Sequence, residues 1–131
     1  MKIRYKYGLL LIDMILTFNG KSKVIENMVV DTGAARTLIS QDVVEELDLH
    51  VELHDTIVTY FGVGGKEYAF RKQIDQIQIS DFVVENVEID FNDFGYEDIN
   101  GLLGLDLLMQ AGFTIDLSHL EMDRNSYREF E

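Results

Sequence analysis

Four groups of residues in this chain have types or spacings from which chemistry can be built. Asp31-Thr32-Gly33-Ala34 sets a carboxylate at the start of a glycine-permitted turn, directly after the apolar run Met28-Val29-Val30. A carboxylate projecting from such a turn, stabilised by backbone amides, can work as a general acid or base. Gly62-Val63-Gly64-Gly65 followed by Lys66 suggests a phosphate cradle, but that loop needs Gly at position 60 and Ser or Thr at position 67, where Tyr60 and Glu67 stand. His50 and His54 have the spacing of a helical metal pair, yet in the alternating strand expected there they lie about 13 Å apart, too far to share an ion. Ser40 and Ser80 have no nearby His–Asp partner for nucleophilic catalysis. Asp31 is the candidate that remains.

The elements that must position it are mostly strands. Leu9 to Phe18 is apolar, Asn19-Gly20 is a two-residue hairpin turn, and the return strand from about Lys23 to Val30 delivers Asp31. Thr37-Leu38-Ile39 reads as a short strand, and Ser40 can cap a short helix that carries Asp42 in its first turn and Val43, Val44 and Leu47 on one face. Leu47, Leu49, Val51 and Leu53 alternate with polar residues, the period of a half-buried strand. Thr56–Phe61 and Lys66–Arg71 form a hairpin across the glycines, with further strands near Gln73–Ile79 and Val83–Phe91. In the latter, Val87, Ile89 and Phe91 share a face. The stretch from Asn92 to Asn100 is polar and turn-like. Leu102-Leu103-Gly104 is expected to be a tight apolar turn, Asp106–Gln110 a short helix capped by Asp106, and Phe113–Leu117 a closing strand. The charged end, Glu121 to Glu131, is expected to fray or to add an edge strand. Many strands with two brief helices predict an all-β, barrel-like fold.

Bulk properties fit one such domain over 1–131, with its core at about 9–117 and a charged tail from 118 to 131. The chain has 131 residues, 47% of them hydrophobic, enough for one core and too few for two. Its formal charge of −13 argues against nucleic acid or an anionic membrane as partner. With no cysteine there is no disulfide and no thiolate metal site, and with no proline the turns rest on Gly, Asn and Asp. Lys2, Arg4 and Lys6 before Leu9-Leu10-Leu11-Ile12 mimic an export signal, but Asp13 interrupts the apolar run and no small-residue cleavage site follows. No run approaches the roughly 18 apolar residues of a membrane span, so a soluble, cytoplasmic protein is expected.

About 70 residues after the Asp31 turn lies Asn100-Gly101-Leu102-Leu103-Gly104-Leu105-Asp106-Leu107-Leu108, and between the two sits the glycine-tipped hairpin. This order, continued through Met109-Gln110-Ala111-Gly112-Phe113-Thr114, resembles the retroviral-type, single-lobe aspartic peptidases (retropepsins), over roughly Leu9 to Leu117. The resemblance implies a retropepsin-like acid-protease fold and an aspartic endopeptidase without a cofactor or metal. Asp31 would be the catalytic residue, supported by Thr32, Gly33 and Ala34. Tyr60, Phe61, Gly62, Val63 and Gly64 would belong to a flap over the substrate, and Leu102 to an apolar pocket. Leu103 fits the core or the pocket wall equally. The chemistry needs two facing carboxylates, and the chain has a single Asp-Thr-Gly, so the resemblance implies a homodimer acting on an extended or unfolded polypeptide. In family members Thr32 would bond across the two-fold axis. Pepsin-like enzymes commonly have a hydroxyl residue at the position of Ala34; without it, activity is expected to reach mildly acidic or near-neutral pH.

The pattern departs in one place. Viral members pair an acidic residue after the turn with an Arg after the later Gly; Ala35 and Leu105 occupy those positions, so both partners of the ion pair are missing together and no lone charge is buried. Arg36 adds a positive charge near the expected cleft rim. Two other readings use the same residues: a peptide-binding or dimerisation module without turnover, and a peptidase active only with a partner.

Overall fold

The computed structural model describes residues 1–62, 65–93 and 97–124. Its strands are β1 (Arg4–Lys6), β2 (Leu9–Phe18), β3 (Lys21–Val30), β4 (Leu38–Ser40), β5 (Thr56–Gly62), β6 (Gly65–Ile79), β7 (Phe82–Asn92), β8 (Gly101–Leu103), β9 (Phe113–Asp116) and β10 (Glu121–Arg124). A 3-10 helix spans Gln41–Leu47 and one α-helix, α1, spans Leu105–Ala111. Eight strands form one sheet in the order β1-β2-β3-β8-β4-β7-β6-β5, and a further pairing of β2 with β6 closes it on itself. The expected all-β barrel is therefore present, as a ring of six strands with β1 and β5 outside it.

Asn19-Gly20 turns as the sequence predicts: both have positive φ, 50° and 77°, and Phe18 pairs with Lys21 across them. The register of β2 against β3 shifts by one residue near Asp13, a bulge at which Asn27 adopts φ 55°. Asp13 accepts the Asn27 N–H at 3.1 Å there. The bulge also receives the approach to β8, because Asn100 donates to the Asn27 carbonyl at 3.1 Å and to the Glu26 carbonyl at 2.8 Å. The core is aliphatic with a few rings: Leu11, Ile12, Met14, Leu16, Ile25, Met28, Ile39 and Ile77 are buried around Phe91, which stacks on Phe70 at 5.4 Å.

Several sequence expectations change. Lys66–Arg71 and Gln73–Ile79 are one continuous strand of 15 residues, because β7 pairs with it without a register break from Phe70 to Ile79. Leu102 and Leu103 lie in a strand rather than a turn: β8 inserts between β3, to which it is parallel, and β4, to which it is antiparallel. The alternating segment 47–53 is not a strand. Leu47 ends the 3-10 helix, Asp48 takes φ 59° and breaks the extended path, and of the later residues only Leu49 is buried while Val51 and Leu53 face solvent. Ser40 is the residue before that helix but makes no side-chain capping bond. Gly104, not Asp106, occupies the N-cap position of α1. β1 adds an edge that the sequence did not suggest, and β10 supplies the edge strand expected after residue 121 by pairing with β9. No helix of the described residues is long and apolar enough to cross a membrane.

Candidate active site

Asp31 sits where β3 ends beside β8. Its N–H donates to the Leu103 carbonyl at 3.0 Å, and the Ala34 N–H closes the turn onto the Asp31 carbonyl at 3.2 Å. Within the turn the Gly33 N–H donates to Asp31 Oδ1 at 2.9 Å, which fixes the carboxylate's orientation while the side chain stays half-buried. The turn is then tied to α1 through backbone alone, Leu105 N–H to the Ala34 carbonyl at 2.8 Å and Asp106 N–H to the Ala35 carbonyl at 3.2 Å. Thr37 and Asp106 add a side-chain tie next to these bonds.

Glycine is required where the later segment passes behind the turn. A Cβ on Gly104 would lie 2.6 Å from the Arg36 carbonyl carbon and oxygen and 2.9 Å from the Ala34 carbonyl oxygen. One on Gly101 would lie 2.4 Å from the Leu38 carbonyl oxygen. Those atoms are backbone, so nothing nearby can move aside cheaply.

Asp31 lines a cavity of about 710 Å³ together with Leu9, Leu10, Val29, Val30, Leu38, Ile99 and Leu102 on the barrel side. Tyr60, Phe61 and Glu67 line it from the β5–β6 hairpin. A mainly apolar pocket with a few convergent polar groups has the character of a ligand site. Of the sequence candidates, Asp31, Tyr60, Phe61 and Leu102 meet around this cavity. Thr32 does not face it; Thr32 is exposed and lines a second, smaller groove with Leu105, Leu108, Met109, Phe113 and Ile115. Gly33 and Ala34 belong to the turn. Gly62 pairs with Gly65 at the hairpin end, and Val63 and Gly64 lie outside the described residues. Leu103 is fully buried core, so the choice left open for it falls to packing.

Thr37, Glu67, Arg71 and Asp90 are absent from the sequence candidates. Asp90 falls between Ile89 and Phe91, and strand alternation puts it on the face opposite theirs, where a carboxylate reads as solvated; it is in fact fully buried. The one available signal was Arg71, which the two-strand register sets directly across from it. Burial and the hydrogen bond to Asp90 together push the Tyr60 phenol well above its ordinary value, so it stays protonated and donates. His50 and His54 are exposed, on the non-strand segment 48–55.

A sequence profile of a family described as aspartyl protease matches residues 14–107. The fold is similar to the crystal structure of a retropepsin-like aspartic protease from Rickettsia conorii, with a TM-score of 0.64 and 24% identity over 88% of this chain and 82% of that chain. At that identity the likeness speaks for the fold. No curated protein sequence matches the chain.

Proposed function

This chain belongs to the aspartyl protease family, and from that membership we propose an endopeptidase whose catalytic residue is Asp31, completed by Asp31 of a second copy. The observation that carries the reading is the half-buried Asp31 carboxylate, oriented by Gly33 in an apolar cleft to which, among the described residues, no equivalent turn brings a second carboxylate. The retropepsin-like fold agrees with a single lobe that works in pairs.

Two carboxylates brought close cannot both ionise, so the pair holds one proton between them and titrates as a unit. The ionised member takes a proton from a water between them as that water attacks the peptide carbonyl. The protonated member gives its proton to the carbonyl oxygen, and a tetrahedral diol forms with no covalent enzyme intermediate. Collapse of the diol returns a proton to the departing amine. Leu102, Val30 and Ile99 supply an apolar wall, which favours apolar side chains flanking the cut, and the β5–β6 hairpin covers a peptide that pairs with it as an added strand. In this reading Thr32 locks the two turns across the symmetry axis, and its exposure beside a groove that Leu105, Leu108 and Phe113 help to line supports that use. The same reading treats the chain as one domain. It also takes the protein as soluble and cytoplasmic; Leu9–Ile12, the run that mimics an export signal, opens β2 of the barrel.

The test is cleavage of an unstructured peptide library by the wild type and by Asp31→Asn between pH 3 and 7, with the mass measured in solution. A dimer whose cleavage is lost in Asp31→Asn supports the proposal. Tight peptide binding without cleavage would replace it with the binding-module reading.

A further inference from the structure

Asp90 of β7 has 0% exposure, and donors converge on it from three directions. Arg71 of β6 donates from Nε at 2.8 Å and from Nη2 at 3.2 Å. The Tyr60 hydroxyl of β5 donates to Oδ2. Arg36 Nε stands 3.7 Å from the same oxygen and has no hydrogen-bond partner among the described residues. The Asp90 N–H donates to the Thr37 carbonyl at 3.3 Å. A carboxylate is buried only where pairing offsets its lost hydration, and here the pairing comes from both strands of one hairpin and from the chain leaving the Asp31 turn.

Register alone does not bring these groups together. Arg71 lies opposite Asp90, and Thr56 lies opposite Arg71. Tyr60 is four residues further out along β5, about 13 Å in an extended strand. Its phenol nevertheless donates to Asp90, a contact that tertiary placement of the ribbon, not strand pairing, must provide. That outer part, residues 56–62 with 65–69, has no third strand among the described residues, since the pairing of β6 with β7 ends at Phe70 and Phe91. Ile57, Phe61 and Tyr68 on it are exposed. A two-stranded ribbon that buries so little is marginal by itself.

We infer that Tyr60 is a positioning residue: through its hydroxyl the buried Asp90 carboxylate holds the β5–β6 ribbon at a fixed height over the cleft that contains Asp31. Arg36 and Thr37 follow the Asp31 turn in the chain, so the ribbon and the turn are both referenced to one carboxylate. A ribbon held this way has already lost the freedom that a peptide would otherwise have to remove on binding. The effect on peptides rests on the peptidase reading above; the effect on the ribbon does not.

Tyr60→Phe tests it, because the ring stays and only the hydroxyl goes. In the unliganded protein, amide hydrogen exchange at 57–61 and 66–69 is expected to quicken by about tenfold while β2 and β3 amides keep their rates. In the active enzyme KM is expected to rise by a similar factor with kcat changed less than about threefold, since only a fraction of molecules holds the ribbon in place. Unchanged exchange in the ribbon, exchange raised equally in β2 and β3, or an unchanged KM would each overturn the assignment. If neither protein cleaves any peptide, the exchange rates still decide the matter of the ribbon, and the missing cleavage counts against the peptidase reading alone.

Discussion

Thr37 gives Asp106 two hydrogen bonds, from its N–H at 3.1 Å and from its hydroxyl at 2.7 Å. The same hydroxyl accepts the buried Gly104 N–H at 3.1 Å. Polar groups of Thr37 just before β4, Gly104 between β8 and α1, and Asp106 in α1 are thus satisfied at one point behind the Asp31 turn, and the Thr37 hydroxyl is the hub. Thr37→Val keeps the shape and leaves both a buried N–H and a carboxylate short of a partner. It should cost about 2–3 kcal/mol, read from the urea midpoint. Asp106→Asn, which keeps an acceptor, should cost about 1 kcal/mol. Equal midpoints for wild type and Thr37→Val would mean that the hub carries no stability.

Gly104→Ala should be worse than either. Its Cβ would meet carbonyl groups of Arg36 and Ala34, and overpacking against backbone costs about 3 kcal/mol or more. The expected outcome is a large fall in the thermal midpoint together with loss of cleavage. A soluble Gly104→Ala with an unchanged midpoint would show that β8 and the turn stand further apart than described.

Acid should weaken the fold through a second buried pair. Lys72 Nζ lies 2.9 Å from Asp55 and 2.7 Å from Glu52, and the Lys72 and Asp55 side chains are almost wholly buried. Burial alone would raise the Asp55 carboxyl. The hydrogen bond and charge of Lys72 and the Glu52 N–H outweigh it and hold Asp55 below its ordinary value. A group lowered by folding stabilises above its unfolded value and stops doing so as pH falls through its folded one. The urea midpoint should therefore drop between pH 5 and pH 2, and Asp55→Asn should start lower and drop less. Parallel curves for the two proteins would remove Asp55 as a source of the slope. Lys72 is shifted the other way: burial lowers it, but the bonds to Glu52 and Asp55 win and leave it raised. Its contribution fails only in strong alkali.

The groove beside Thr32 bears on assembly. Met109 is 73% exposed and lines it with Leu105 and Phe113. If two lobes meet around Thr32, Met109→Glu puts two like charges near the contact. The mass in solution should shift toward monomer at micromolar concentration and cleavage should fall with it, while the far-ultraviolet circular dichroism stays as in wild type. A dimer of unaltered affinity would move the interface elsewhere on the lobe.

Much of the site was legible because its signals are local. Asp31-Thr32-Gly33 follows an apolar strand, which is enough to single out the turn, whereas Leu102-Leu103-Gly104 reads as a turn and its two leucines lie in a strand inserted between β3 and β4. The hairpin at Asn19-Gly20 is written in two residues whose φ is positive. What could not be read depends on partners distant in the chain. Asp90 looks solvated until Tyr60, Arg71 and Arg36 are brought to it, and Thr37 looks like an ordinary strand residue until α1 presents Asp106. The segment 47–53 misled for the opposite reason: Leu47 and Leu49 are buried from a helix end and a loop, and happen to fall two apart, so a period of two appeared without a strand to cause it.

β6 is at once the inner strand of the ribbon and a stave of the barrel, paired with β7 and β2 along its second half. No loop separates those two duties. Raising the ribbon must therefore flex an unbroken backbone near Phe70, where β7 stops, and the fulcrum is the Phe70–Phe91 ring stack in the interior. If the ribbon covers a bound peptide, it would act less like a hinged door than like a sprung blade clamped at one end, its stiffness set by the packing that grips it.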